Sequence, residues 1–258
     1  MKATSGLVII LFLGLVSCFN PPEYPSIPEI EFAKVSFVKT PNLGDADTLN
    51  LSVRFKDGNG DIGLLANENF DDLRFAERFY RKINKDSLYI LRNNASSIVI
   101  ANNPAFIRYK TKRTNPNYDT LPIFAKPFDC TNWEIVYKTT NNITSVVDTV
   151  YFQLNPNHYN IYVDFLVSKN DGSGEFVEYD FRKEFCVTYD GRVPVLAKEA
   201  GQETPLQGTI NYAMIGIGFE LIFTTKAIKL RIQIQDRALN KSNVIISDPF
   251  TLGDITKN

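Results

Sequence analysis

Residues 228–236 read IKLRIQIQD, and this stretch decides the fold together with LNLSVRFKD at residues 49–57 and IYVDFLV at residues 161–167. In each of them an apolar side chain stands at every second position. This alternation predicts β-strands that bury one face and leave the other in water. Strands of that kind belong to antiparallel sheets. The sequence therefore predicts an all-β protein.

Weaker strand patterns occur at residues 30–38, 87–91, 98–101, 133–138, 146–154, 175–181, 209–212, 219–224 and 243–247. Asp57 and Asp236 each follow a strand directly and have a polar residue four positions on, which suggests an internal repeat. Aligning the chain on it gives two halves of about 100 residues, the usual size of an immunoglobulin-like sandwich. We predict two immunoglobulin-like β-sandwich domains, at residues 30–150 and 151–258. A single larger sandwich is the alternative.

One segment of the first predicted domain, residues 69–85, departs from the strand pattern. It reads NFDDLRFAERFYRKINK, and one helical face would carry Phe70, Leu73, Ala76, Tyr80 and Ile83. Acidic residues at its start and basic residues at its end suit the helix dipole. We predict one short helix packed on a sheet. A basic helix on a membrane surface is the alternative.

The composition excludes several classes of function. The chain has 258 residues, of which 44% are apolar and 22% charged, so it can build packed domains. A formal net charge of −1 provides no global basic field to hold nucleic acid. One His and three Cys rule out a site with several imidazoles or four thiolates. No paired nucleophile and base stand out, and we predict that the protein is not an enzyme.

The N-terminus has the pattern of a signal peptide. Lys2 supplies a positive charge, and residues 6–16, GLVIILFLGLV, form a continuous apolar run. A helix of that length spans about 16 Å, whereas a bilayer core is about 30 Å thick. The run is therefore too short for a permanent transmembrane helix.

The apolar run ends in Leu15-Val16-Ser17-Cys18, which resembles the lipobox of bacterial lipoproteins. The resemblance implies a signal peptide at residues 1–17, cleavage before Cys18 and lipidation of that cysteine, which would tether the protein to a membrane. Residue 19 is Phe and not Asp, which by resemblance to proteobacterial sorting implies the outer membrane. An ordinary secretory signal with a chance Cys is the alternative. Residues 18–29 contain four prolines and predict a semi-rigid polyproline tether.

The motif DGNGDIG at residues 57–63 places oxygen-bearing side chains at alternate positions, on Asp57, Asn59 and Asp61. Calcium prefers such ligands, and Glu68 stands twelve positions along, as in an EF-hand loop. Ile62 replaces the expected Gly, however, and a strand precedes the loop. The motif predicts either a calcium site or a β-hairpin turn, because Asp-Gly and Asn-Gly favour such turns.

A second loop, DRALNKSN at residues 236–243, offers Asp236 and Asn240. These side chains predict either a second cation site or a partner-facing loop, or a turn that Asp and Asn close on their own backbone.

Four segments resemble one family of uncharacterised lipoproteins of Bacteroidota-type bacteria: FKDGNGDIGL at 55–64, YDGRVPVL at 189–196, PLQGTINYAM at 205–214 and DRALNKSN at 236–243. The resemblance covers most of the chain except an insertion at about residues 65–118. It implies an envelope location and an all-β body, and it implies no mechanism.

Two cysteines, Cys130 and Cys186, remain after lipidation of Cys18. In an oxidising envelope they are expected to form a disulfide. Two buried free thiols are the alternative.

These observations predict a lipid-anchored envelope protein that docks another protein, as an accessory subunit of an outer-membrane assembly. The alternative is a glycan-binding lipoprotein of a polysaccharide-uptake system, which would need exposed aromatic side chains. An enzyme would need a deep pocket with two close carboxylates.

Overall fold

The computed structural model describes residues 23–41, 45–92, 96–124, 132–169, 172–197, 204–216 and 218–256. Their regular secondary structure is mostly β, with strands arranged in three antiparallel sheets, as the sequence predicts. Within these ranges every helix is too short or too polar to span a bilayer.

The strands are, in chain order, β1 (Glu29–Val38), β2 (Asp47–Asp57), β3 (Arg78–Arg81), β4 (Leu88–Tyr89), β5 (Trp133–Thr140), β6 (Ile143–Leu154), β7 (Ile161–Ser168), β8 (Phe176–Tyr179), β9 (Leu206–Gly216), β10 (Ile228–Ile234) and β11 (Ile245–Ile246). The helices are α1 (Glu68–Asp71), α2 (Ile98–Ala101), α3 (Tyr109–Thr114), α4 (Phe181–Phe185), α5 (Phe219–Phe223) and α6 (Leu252–Ile255), with a 3₁₀ helix at Pro116–Tyr118.

Two of the sheets form a sandwich around one core. One sheet has the order β1-β2-β9 and the other β11-β10-β7-β8. The three strongest alternating stretches are β2, β7 and β10, which confirms their prediction. Their alternate side chains are buried in a single cluster, because each sheet turns its apolar face toward the other.

Aromatic rings fill one part of this core. Phe165 of β7 contacts Phe223, at a centroid distance of 5.6 Å, and Phe181, at 5.1 Å, and these two rings also contact each other at 5.9 Å. Residues 219–224 were expected to form a strand, and that prediction is wrong. Phe219 and Phe223 stand four residues apart and are both buried, a spacing that a helical turn satisfies.

The third sheet, ordered β4-β3-β6-β5, lies in the chain between β2 and β7 and has its own apolar clusters. The predicted helix at residues 69–85 is wrong for most of its length. Only Glu68–Asp71 is helical, and Arg78–Arg81 is a strand, because Tyr80 pairs with Phe152 of β6 and is buried there. The expected strand at residues 98–101 is helix α2, which packs on β6.

Strand pairing corrects the expected division of the chain near residue 150. β2 and β9 pair along their whole lengths, from Asp47 opposite Gly216 to Asp57 opposite Leu206, so both predicted domains contribute to one sheet. β6 itself runs across residue 150. The fold is therefore one sandwich with a third sheet inserted between β2 and β7. This inserted module, which consists of the third sheet and the segments between its strands, extends beyond the expected residues 65–118, because β6 pairs with β3 and β5 pairs with β6.

Polar side chains join the inserted module to the sandwich. The buried ring of His158 places Nδ1 2.9 Å from the carbonyl oxygen of Phe75. Arg192 donates to the carbonyl oxygens of His158, at 2.7 Å, and Leu65, at 2.9 Å. Main-chain carbonyls of the module are thus satisfied by side chains of the second half of the chain.

We expect this junction to weaken in acid. Burial lowers the pKa of His158 below its usual value near 6.5, so the unfolded chain binds the proton more readily than the folded one. Stability should then fall as the pH drops below about 6.5. Thermal melts between pH 7.5 and 5.5 should show a steeper loss in the wild type than in His158→Gln. Equal slopes would contradict the assignment.

Candidate functional site

Two loops that lie far apart in the sequence meet at one end of the sandwich. The first follows β2 at residues 57–63, and the second follows β10 at residues 236–240. Ile62 forms a bridge with Asp236, and the amide of Arg237 donates to the carbonyl oxygen of Asp61 at 3.2 Å. We call the group Asp57, Asp61, Asp236 and Asn240 the acidic hub.

Asp57 lies at the centre of the acidic hub with no solvent exposure. Its Oδ2 accepts from the amide of Asp61 at 2.9 Å, whereas its Oδ1 is buried and has no hydrogen-bond partner. Burial, together with the nearby carboxylates of Asp61 and Asp236, raises the pKa of Asp57 to about 6. The side chain therefore carries an incompletely compensated negative charge at neutral pH.

The other two carboxylates of the hub have main-chain or amide donors. Asp61 Oδ2 accepts from the amide of Ala238 at 3.2 Å, while its Oδ1 is buried without a partner. Asp236 accepts from the amide and the side chain of Asn240, at 2.7 and 2.8 Å, and burial raises its pKa. Within the described ranges no Lys or Arg forms an ion pair with any of the three.

Glycines let other parts of the chain approach the first loop closely. A Cβ on Gly58 would lie 2.3 Å from the carbonyl oxygen of Tyr24, in the segment that precedes β1. A Cβ on Gly60, whose φ is +66°, would lie 2.0 Å from the carbonyl oxygen of Thr204. The Gly58 amide also donates to Pro25 at 2.7 Å. The loop thus contacts both the segment that precedes β1 and the segment that precedes β9.

The EF-hand part of the calcium prediction is wrong. The carboxylate of Glu68 does not bond with residues 57–63 in the way that an EF-hand ligand would. Its carboxylate accepts from Arg237, with Nη1 2.9 Å from Oε2, and from the amide of Leu65 at 2.6 Å. Asn59 lies in the loop, and its amide bonds to Asp57.

The two loops, which the sequence analysis treated separately, lie together in the fold. Asp236 accepts from the amide of Asn240 in its own loop, which agrees with the turn alternative for that segment. Across the described residues no three side chains of His, Cys, Asp or Glu converge as metal ligands. The contact of Glu68 with Arg237 had no signal in the sequence.

Comparisons with known protein families, curated proteins and solved structures give no match. The hub must therefore be interpreted from its own chemistry.

The remaining sites predicted from the sequence are the cysteines. Cys18 and Cys130 lie outside the described residues. Cys186 ends α4 in a left-handed conformation, with φ of 58°, and is disulfide-bonded.

We expect peptide mapping without reductant to recover Cys130 joined to Cys186. Recovery of Cys186 joined to Cys18 would contradict both the predicted disulfide and the predicted lipidation.

One surface cleft of the sandwich contains three acidic side chains. A cleft of about 210 Å³ beside β7 and β8 contains Asp164, Glu178 and Asp190. Arg231 bonds the first two, at 2.9 and 2.6 Å, and Asp190 accepts from the amide of Val163 at 3.1 Å. These carboxylates are held in ion pairs and main-chain contacts.

Proposed function

We propose that this chain is a lipid-anchored protein of the cell envelope that docks an acidic protein partner and catalyses no reaction. In this proposal Cys18 holds the protein in the outer membrane, and residues 18–29 act as its tether. The resemblance of residues 15–18 to a lipobox supports the anchor. The contact of Pro25 with Gly58 supports a tether that joins the body directly at the acidic hub.

We infer that the sandwich is of the immunoglobulin-like kind. Without the inserted module, its strands β1, β2, β7, β8, β9, β10 and β11 take the places of strands A, B, C, C′, E, F and G. The sheets then read A-B-E and G-F-C-C′. This distribution of strands supports the assignment. Such sandwiches carry many functions, so the partner must be argued from the surface.

The main observation in support of docking is a concentration of positive charge in the inserted module. Residues 78–114 contain nine Lys or Arg and a single acidic residue, whereas the whole chain has a net charge of −1. Arg78, Arg81 and Arg108 pair with carboxylates. Among the described residues the other six form no ion pair: Lys82, Lys85, Arg92, Lys110, Lys112 and Arg113. An excess of unpaired positive charge in one stretch of the chain fits a partner of opposite charge.

Two further observations argue against the two alternatives, an enzyme and a glycan-binding protein. The acidic groups of the cleft beside β7 and β8 are occupied by Arg231 and by main-chain donors, which argues against an enzyme. The single Trp, Trp133, is 1% exposed, and the exposed aromatic side chains of the described residues are Tyr89, Tyr137 and Phe185. A platform for stacking sugar rings therefore has little support, which argues against the glycan-binding alternative.

The anchor is tested by mass spectrometry of the N-terminal peptide. We expect the wild type to begin at Cys18 with acyl chains attached and to sediment with the outer membrane. The variant Cys18→Ala should lack this modification. An unmodified thiol at residue 18 in the wild type would overturn the anchor.

Docking is tested separately by purifying the tagged protein from its native membranes in mild detergent. We expect one specific partner, lost on triple charge reversal of α3 with Lys110→Glu, Lys112→Glu and Arg113→Glu. A matched triple reversal on the sandwich, Lys34→Glu, Lys56→Glu and Lys183→Glu, should keep the partner. Equal retention by both variants would contradict the proposed surface. Isolation without a partner, followed by binding on a glycan array, would replace docking by the glycan-binding alternative.

A further inference from the structure

The acidic hub contains more negative charge than its surroundings compensate. Asp57 is fully buried, and its Oδ1 and the Oδ1 of Asp61 are both buried without a hydrogen-bond partner. A buried polar atom without a partner costs about 1–3 kcal/mol, and more if it is charged. The two loops also bring the carboxylate of Asp236 close enough to interact with Asp57. Among the residues that the structure describes, no Lys or Arg forms an ion pair with Asp57, Asp61 or Asp236.

We propose that the acidic hub binds one calcium ion between Asp57 and Asp61. Carboxylate oxygens are the ligands that calcium prefers, and a bound cation would satisfy both unpartnered oxygens at once. The proposal goes beyond the docking function and does not depend on it, because the hub belongs to the sandwich and the basic surface to the inserted module.

The composition of the hub favours calcium over transition metals. Its side chains offer oxygen and neither sulfur nor imidazole nitrogen, and hard oxygen donors select calcium or magnesium. The two unpartnered carboxylate oxygens would supply the charge, and the remaining ligands would have to come from water and other oxygens of the loop. Calcium accepts six to eight ligands in flexible geometry, whereas magnesium needs a near-ideal octahedron. An irregular loop rich in glycine suits the larger ion.

The position of the hub gives the ion a structural consequence. Gly58 donates to the carbonyl oxygen of Pro25, within the proposed tether, and Asp61 contacts the loop that follows β10 through Arg237 and Ala238. An ion held by Asp57 and Asp61 would fix the residues on both sides of Gly58. Calcium should therefore order the point at which the tether enters the body. Hydrogen exchange at the amides of Gly58 and Asp61 should become slower when calcium is added.

The test is calcium-dependent melting of the full mature protein in detergent. We compare 10 mM CaCl₂ with EDTA at matched ionic strength. At a hundredfold excess over Kd, binding should raise Tm by about 5–10 °C. Calorimetric titration with CaCl₂ should give one ion per chain.

Isosteric variants separate binding from folding. Asp57→Asn removes the charge and keeps the size, so it should melt in EDTA no lower than the wild type and lose the calcium shift. Asp61→Asn is the second variant and should also lose it. Asp86→Asn makes the same change at an exposed site and should keep the full shift. The absence of a shift in the wild type, or an equal shift in Asp57→Asn, would overturn the proposal.

Discussion

Replacing Arg237 by Met is expected to lower the free energy of unfolding by about 3–5 kcal/mol. The guanidinium of Arg237 forms two hydrogen bonds with the carboxylate of Glu68, whose side chain is 9% exposed. Met has a similar volume and no charge, so the substitution leaves Glu68 buried without its cation. A buried charge that loses its partner is far more costly than the pair itself. Urea denaturation of both proteins measures the difference.

Two further variants identify the cause. Adding Glu68→Gln to Arg237→Met removes the stranded charge and keeps an acceptor for the amide of Leu65, so most of the stability should return. Arg54→Met breaks the pair with Glu31, in which both side chains are more than half exposed, and should cost less than about 1 kcal/mol. If Arg54→Met and Arg237→Met lower the free energy of unfolding by the same amount, burial does not explain the cost of losing Arg237.

The sandwich could be predicted from the sequence wherever a strand has one buried and one exposed face. β2, β7 and β10 show this pattern over their full lengths, and a period of two depends on the backbone alone. Short elements were less predictable. Phe219–Phe223 has the composition of a strand, but it forms a helix because its two rings both reach the core around Phe165. Tertiary packing decided that choice, and local preference did not.

The domain division and the acidic hub illustrate the limit of local patterns. Asp57 and Asp236 were recognised as equivalent ends of two strands, and the similarity was interpreted as a repeat of domains. The two strands lie in opposite sheets of the same sandwich, and their ends meet, so the similarity reflects a shared location. Sequence spacing contains no information on a contact between residues that are about 180 positions apart. The sequence identified the two loops separately, and their contact with each other could be seen only in the fold.

Gly60→Ala is expected to destabilise the protein by about 2–4 kcal/mol. Gly60 has φ of +66°, where an L-residue costs roughly 1–2 kcal/mol. The added Cβ would also lie 2.0 Å from the carbonyl oxygen of Thr204, and a main-chain atom cannot move aside as a flexible side chain can. The loop would have to separate from the segment that leads into β9. Urea denaturation of the purified variant measures the loss.

Gly172→Ala is the matched control for this loss. Gly172 has φ of +75°, and a Cβ there would meet nothing within 4 Å, so only the backbone cost of about 1–2 kcal/mol should appear. The difference between the two variants then measures the close approach of Thr204 alone. If both variants lose the same free energy of unfolding, Gly60 is needed only for its positive φ, and the close approach of Thr204 contributes nothing. A larger loss in Gly60→Ala means that the DGNGD motif joins separate segments of the chain, a role that it has with or without a bound ion.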